Sequence, residues 1–310
     1  MLSRIAESLF WIGRYLERCD GTARILDVHL QLLLEDPWID ERTACRSLLG
    51  VMGAEHAEEH ASPDRQQVLN ALAVDRDNPS SIAYAMRSAR ENARRAREIV
   101  STELWEALNT SSARLPRTLR AEKSHTFFRW VRGRVALAAG IVDSSTSRDE
   151  AWHFFTLGRN IERIDMTARL LGTRSLRGAS GPSWTTILRS CGAHEAYLRI
   201  YRGTPTAQEA CEFLLLDRLF PRSIVYAIQR AEECMSAIDP GADRLGRSNA
   251  VLQALGGLRG ELEYRPIGRI VEDLPGQMRR TQGVAREVSE AIRQRFFPSH
   301  ADPIWVGELS

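Results

Sequence analysis

Two stretches of the chain set carboxylates among arginines at helical spacing. The first is Gly13-Arg14-Tyr15-Leu16-Glu17-Arg18-Cys19-Asp20-Gly21-Thr22-Ala23-Arg24, and the second is Gly158-Arg159-Asn160-Ile161-Glu162-Arg163-Ile164-Asp165-Met166-Thr167-Ala168-Arg169. On a helix, residues four apart are surface neighbours, so pairs such as Asp20 and Arg24 can meet locally. The cluster supports two readings. Arg14, Arg18, Arg159 and Arg163 could surround a phosphate or carboxylate, with Glu17 and Glu162 orienting their forks or moving protons. Alternatively, Glu17 pairs with Arg163 and Glu162 with Arg18 in a structural network, where removing one member costs about 3–5 kcal/mol if the pair is enclosed.

Other groups offer less. His56 and His60 stand four apart, a spacing that can hold a metal, but nothing equivalent occurs in the second half, and no metal is expected. Cys191 and His194 lack the Gly turn that an oxyanion site would need. Asp75-Arg76 and Asp217-Arg218 precede proline-containing helix entries and read as loop-fixing ion pairs.

The elements that must position these groups are helical. Leu2, Ile5, Leu9, Ile12, Leu16, Cys19, Ala23, Leu26, Leu30 and Leu33 recur in steps of three and four, which predicts a helix over 3–35. Gly13, Glu17, Asp20 and Arg24 lie off that seam. Glycine inside a helix costs about 1 kcal/mol relative to alanine, so close approach by another element is the natural reason for Gly13 and Gly158. Both faces of the charged helices are therefore expected to be covered. Further helices are predicted over 40–60, 64–75, 78–109 (as one long helix), 117–146 and 149–173.

The stretches 13–26 and 158–171 share nine of fourteen residues, and most of the shared ones are not large apolar side chains. A second block, Ala73 to Ala85, returns as Leu215 to Ala227 with Asp-Arg, Pro, Ser-Ile and Tyr-Ala in order. Two blocks at nearly one offset predict a duplication. The expected fold is all-α: a helical bundle of two tandem repeats, about 1–143 and 148–297, related by an approximate twofold, with no sheet. Residues 298–310, with Ile304-Trp305-Val306, read as a tail outside both repeats.

Composition narrows the function. A chain of 310 residues with 43% hydrophobic and 26% charged residues is globular. A formal charge of +2 argues against a nucleic-acid partner. Lys123 is the only lysine and no Gly-rich loop precedes it, so a Walker-type phosphate site is excluded, and no cofactor is expected. The five cysteines (Cys19, Cys45, Cys191, Cys211 and Cys234) form no CxxC and read as reduced core residues. No secretory leader is read at the start and no apolar run is long enough to span a bilayer, so no membrane partner and a cytoplasmic location are expected.

Several ordered blocks resemble the Alpha-E family of bacterial helical proteins with a Glu-Arg motif. They include Met1-Leu2-Ser3-Arg4-Ile5-Ala6-Glu7, Trp11 to Arg18, Asp75 to Ile82, Ala89 to Arg94 and Leu104 to Asn109. In the second half they include Trp152-His153-Phe154, Gly158 to Arg169, Leu188 to Cys191 and Phe220-Pro221-Arg222-Ser223. The likeness runs over about residues 1–297 and departs in a short connection after Leu171. The resemblance implies genomic association with circularly permuted ATP-grasp proteins, and often with transglutaminase-like proteins. It therefore implies an accessory or partner subunit of an ATP-grasp peptide or amide ligase. The alternative is an enzyme of the same pathway that uses the Glu/Arg cluster.

Overall fold

The computed structural model describes residues 1–35, 40–54, 63–174, 183–241 and 249–297. In chain order the helices are α1 (Ser3–Glu35), α2 (Glu41–Met52), α3 (Arg65–Leu69), α4 (Ile82–Arg95), α5 (Thr102–Ala113), α6 (Ala121–Ser145) and α7 (Glu150–Thr173). There follow α8 (Trp184–Ser190), α9 (His194–Tyr201), α10 (Ala207–Leu216), α11 (Ile224–Ile238), α12 (Ala250–Tyr264), α13 (Ile267–Glu272) and α14 (Leu274–Phe296). A π turn, Asn70–Val74, continues α3, and no strand occurs among the described residues. The fold is all-helical, as expected.

Helices α1 and α7 form the centre and pack on each other more extensively than any other pair. Helices α4 and α6 lie against α1, whereas α11 and α14 lie against α7. The apolar seam of α1 is buried from Ile5 to Leu30, with Leu2 exposed at its start. The opposite face of α1 is covered by α7.

Two glycines permit that coverage. A Cβ on Gly13 would fall 2.1 Å from the Phe155 carbonyl oxygen, and one on Gly158 would fall 2.0 Å from that of Phe10. The two backbones therefore touch at a spot where no other residue fits. Next to this crossing, the Phe297 ring lies 5.7 Å from Phe10 and 5.9 Å from Phe154, which ties the end of α14 to both central helices. About two turns beyond, the Met166 side chain fills the space over Gly21.

The structure corrects several boundaries. The predicted single helix over 78–109 is two, because Ala96 leaves helical geometry and the Ser101 side chain caps a new start by accepting from the Leu104 N–H. Pro79 precedes the cap Ser81 and is not itself in the first turn. Helix α2 stops at Met52, where Gly53 takes the left-handed conformation at φ 66°. The metal candidates His56 and His60 and the 298–310 tail lie outside the described residues.

The crossing makes a contrast in stability. Gly13→Ala and Gly158→Ala are each expected to destabilise the fold by about 2–3 kcal/mol in urea unfolding, because α1 and α7 must separate. Gly133→Ala and Gly140→Ala, with open space at the added Cβ, should instead stabilise it by up to about 1 kcal/mol. Equal effects at all four positions would refute the close crossing.

Candidate charged site between the central helices

Once α1 and α7 cross at the glycines, the residue one turn on from each glycine points into the interface. Glu17 and Glu162 are buried there, at 1% and 0% exposure. Each carboxylate is taken by arginines of the other helix. Glu17 accepts from Arg163 Nη2 at 2.6 Å and Arg163 Nε at 3.0 Å, and from Arg159 Nε at 3.3 Å. Glu162 accepts from Arg18 Nε at 2.6 Å, Arg14 Nε at 2.7 Å and Arg18 Nη2 at 3.1 Å. The two-point contacts of Arg18 and Arg163 are the fork geometry that guanidinium offers and ammonium cannot.

The acids one turn further on each pair with an arginine of their own helix. Asp20 accepts from Arg24 Nε and Asp165 from Arg169 Nε, both at 2.7 Å. These pairs aim the arginines at helix ends. Arg24 Nη1 donates to the Ser190 carbonyl at the end of α8, and Arg169 Nη1 donates to the Val51 carbonyl near the end of α2. A cation at a helix C-terminus is favourable for the dipole as well as for the orphan carbonyl.

All ten residues singled out on the charged helices are thus brought into one layer. The secondary candidates are not, and their expected ion pairs do not form. Asp75 instead accepts backbone N–H groups from Asp77 and Asn78, and Asp217 those of Leu219 and Phe220. Arg218 pairs with Glu263 at 2.7 Å, and Arg76 lines a surface cavity. Neighbours in sequence on such a turn do not face each other, so Asp-Arg adjacency does not make a pair. The two turns nevertheless serve the site, because they present the Pro79 carbonyl to Arg18 Nη1 (3.4 Å) and the Pro221 carbonyl to Arg163 Nη1 (3.1 Å).

Arg222 was not among the predicted site residues. Its Nη1 donates to Glu17 at 2.7 Å and its Nη2 to Asp20 at 2.6 Å, bridging the two acids of α1. The only signal for it was its place in the Phe220-Pro221-Arg222-Ser223 block, where the matching position of the first half holds Ser80. Ser289 of α14 was also missed; its hydroxyl accepts from Arg14 Nη1 at 2.5 Å.

Electrostatics follow from this packing. Burial by itself pushes the Glu162 carboxyl up, but Arg18 and Arg14 outweigh it and bring its pKa down to about 2. Glu17 is likewise pushed up by burial and held well below the carboxylate range by Arg163, Arg222 and Arg159. Both are ionised at neutral pH, with every carboxylate oxygen already engaged, so neither is poised to exchange a proton with a substrate. Cys191 is buried, which pushes its thiol up to about 11, and this opposes a nucleophilic role. Among the described residues no group of three or more His, Cys, Asp or Glu is placed to hold a metal, and no helix is long and apolar enough to cross a membrane.

Two measurements test the layer. Glu17→Gln and Glu162→Gln should each cost about 3–5 kcal/mol or prevent folding, because arginines are left buried without a counter-charge. Removing the exposed Glu91–Arg94 pair by Arg94→Gln should by contrast leave the urea midpoint essentially unchanged, because solvent screens it. Acid unfolding should occur in two stages. His29, buried 3.8 Å from Cys45, is lowered to about 4, first by burial and then by Arg65. The unfolded chain therefore binds its proton first, and up to about 3 kcal/mol is lost as pH falls from 6.5 to 4. Glu162 contributes stability that is present above its unfolded value of 4.5 and lost as pH falls through about 2. His29→Leu should flatten the first stage alone in pH-dependent melting.

Comparison with known proteins places this geometry in a family. A family model called Alpha-E, described as a predicted alpha-helical domain with a conserved ER motif, matches residues 1–297. The chain is similar to an uncharacterised protein of Mycobacterium bovis and to uncharacterised proteins of two Mycobacterium tuberculosis strains, each 24% identical over 341 residues. That similarity takes in 97% of this chain but 38% of each relative, so the chain spans well under half the length of the curated proteins it matches. No solved structure matches. Glu17-Arg18 and Glu162-Arg163 are Glu-Arg steps at the buried centre of the matched region, and the chain belongs to the Alpha-E family.

Proposed function

We propose that this protein is a non-catalytic helical partner of an ATP-grasp peptide or amide ligase, acting in the cytoplasm to position substrate or stabilise the ligase. The observation that carries the non-catalytic part is the saturation of Glu17 and Glu162. Their carboxylates are buried, ionised and bonded to arginines on all four oxygens, and surplus guanidinium donors go to protein carbonyls and a hydroxyl. A group bound this way supports a fold and leaves no proton or open lobe for a substrate. The ligase itself is inferred from family resemblance. In the mycobacterial relatives the matching region lies within a much longer chain, so there it has covalent neighbours, in keeping with a partner role.

We further infer that the bundle arose by duplication, with repeats of about 1–143 and 148–297 related by an approximate twofold. Supporting this, the contacts of α1 on α7 recur in reverse: glycine on carbonyl, Glu17 with Arg163 and Glu162 with Arg18, and Arg24 and Arg169 each at a helix end belonging to the other half. The central layer is then an internal dimer interface, stabilised by ion pairs between copies.

Purification of the tagged chain from its native host tests the partner claim. An ATP-grasp protein should be recovered stoichiometrically, and its ligase rate should rise when the helical protein is added back. Failure to recover any ATP-grasp protein, or an amide-forming activity in the isolated chain, would overturn the proposal.

A further inference from the structure

Outside the central layer, α4 and the turn before it border a cavity of about 360 Å³ lined by Arg76, Tyr84, Arg87, Ser88, Arg90, Glu91 and Ser112. This size is in the range of small-molecule sites. Three guanidiniums and three hydroxyls face one carboxylate, and that carboxylate is already committed. Glu91 accepts from Arg94 Nη2 at 2.6 Å and Arg94 Nε at 3.0 Å, and Arg95 approaches at 3.8 Å. Arg90 is fixed by neutral groups, donating to the Asn109 side chain at 2.8 Å and stacking on Trp105. Among the described residues, Arg76 and Arg87 have no carboxylate partner.

The positions 142 further on show how the same surface looks when it is neutralised. Arg218 pairs with Glu263, Arg259 with Glu232, and Arg230 with Glu233. There Gln229 replaces the counterpart of Arg87, and Glu232 replaces that of Arg90. One surface is balanced by glutamates; the other keeps its arginines around an open cavity.

We propose that this cavity binds a compact dianionic oxyanion, a phosphate monoester or a dicarboxylate. Arg76 and Arg87 supply the two uncompensated charges, Arg90 a third fork already oriented by Asn109 and Trp105, and Ser88, Ser112 and Tyr84 the hydroxyl donors. The floor connects to the central layer: Tyr84 meets Tyr15 edge to face at 6.2 Å, and Arg18, the partner of Glu162, lies over the Tyr15 ring at 5.5 Å. This site is independent of the ligase partnership and goes beyond it.

Isothermal titration of the full chain with O-phosphoserine, glutarate and, as an uncharged control, glycerol tests the site. Saturable binding of one or both anions is expected, with a loss of about tenfold or more in Arg76→Gln and in Arg87→Gln. Arg269→Gln, which removes a surface arginine of α13 paired with Glu272 and leaves Glu91 committed to Arg94, should bind as the unmodified chain does. Binding of phosphoserine alone identifies a phosphate monoester, and binding of glutarate alone a dicarboxylate. Absence of saturation with both anions at millimolar concentration, or equal affinity in the Arg76→Gln/Arg87→Gln double variant with an unchanged melting temperature, overturns the proposal. Since no ATP-grasp protein is present, neither result depends on the partner claim.

Discussion

Two carboxylates buried at a helix crossing are the constraint on which the rest of this structure depends. Removing an ion from water costs several kcal/mol, and mutual attraction offsets this only where geometry is good and every lone pair is used. Glu17 and Glu162 satisfy that demand by facing the other helix's arginines, which is possible only if α1 and α7 come into backbone contact. Gly13 and Gly158 supply that contact, one turn before each acid. The glycine and the glutamate of each motif thus form one device: the first sets the distance and the second exploits it.

Arginine, with five donors in a fixed plane, spreads the consequences outward. Once Arg18 and Arg163 have gripped a carboxylate, their remaining Nη1 donors reach the carbonyls of Pro79 and Pro221. Those carbonyls sit in turns closed by Asp75 with Ser81 and by Asp217 with Ser223, and the same serines cap α4 and α11. Arg24 and Arg169 do likewise for the ends of α8 and α2. Helices flanking the centre are therefore oriented by the side chains that neutralise it. A lysine ammonium is a point charge without that planar fork, so it could not clasp a carboxylate at two points and reach a carbonyl on the far side, consistent with cations of the layer that are all arginine.

Much of this was legible in the sequence. The seam from Ile5 to Leu30 fixes which face of α1 joins the apolar core, and glycine on the other face signals close approach. What periodicity cannot reveal is a contact made through space by a loop. Arg222 sits in a turn far along the chain, yet it bridges Glu17 and Asp20. Adjacent Asp-Arg dipeptides were misleading for the converse reason, because a short aspartate in a turn finds backbone amides sooner than a neighbouring guanidinium. The break between α4 and α5 was hidden because the charges and alanines around Ala96 favour helix throughout; a single serine cap at Ser101 and the packing of α5 on α4 and α6 decide it.

The differences between the two charged helices are as informative as their likeness. Where Met166 stands on α7, its partner position on α1 is Gly21, and the methionine occupies the space the glycine vacates. A strictly equal pair would meet side chain to side chain there, or leave a void. Arg222 is matched by Ser80, whose hydroxyl turns instead to the Met52 carbonyl, so Glu17 carries one more guanidinium than Glu162 does. Both departures lie at the interface and both are compensated locally, whereas the glycine, glutamate and arginine of the crossing itself are unchanged. Packing tolerates asymmetry wherever a neighbour can fill or neutralise the difference. It does not tolerate it at the crossing, because each acid is satisfied only by the other helix's arginines at the separation those two glycines allow.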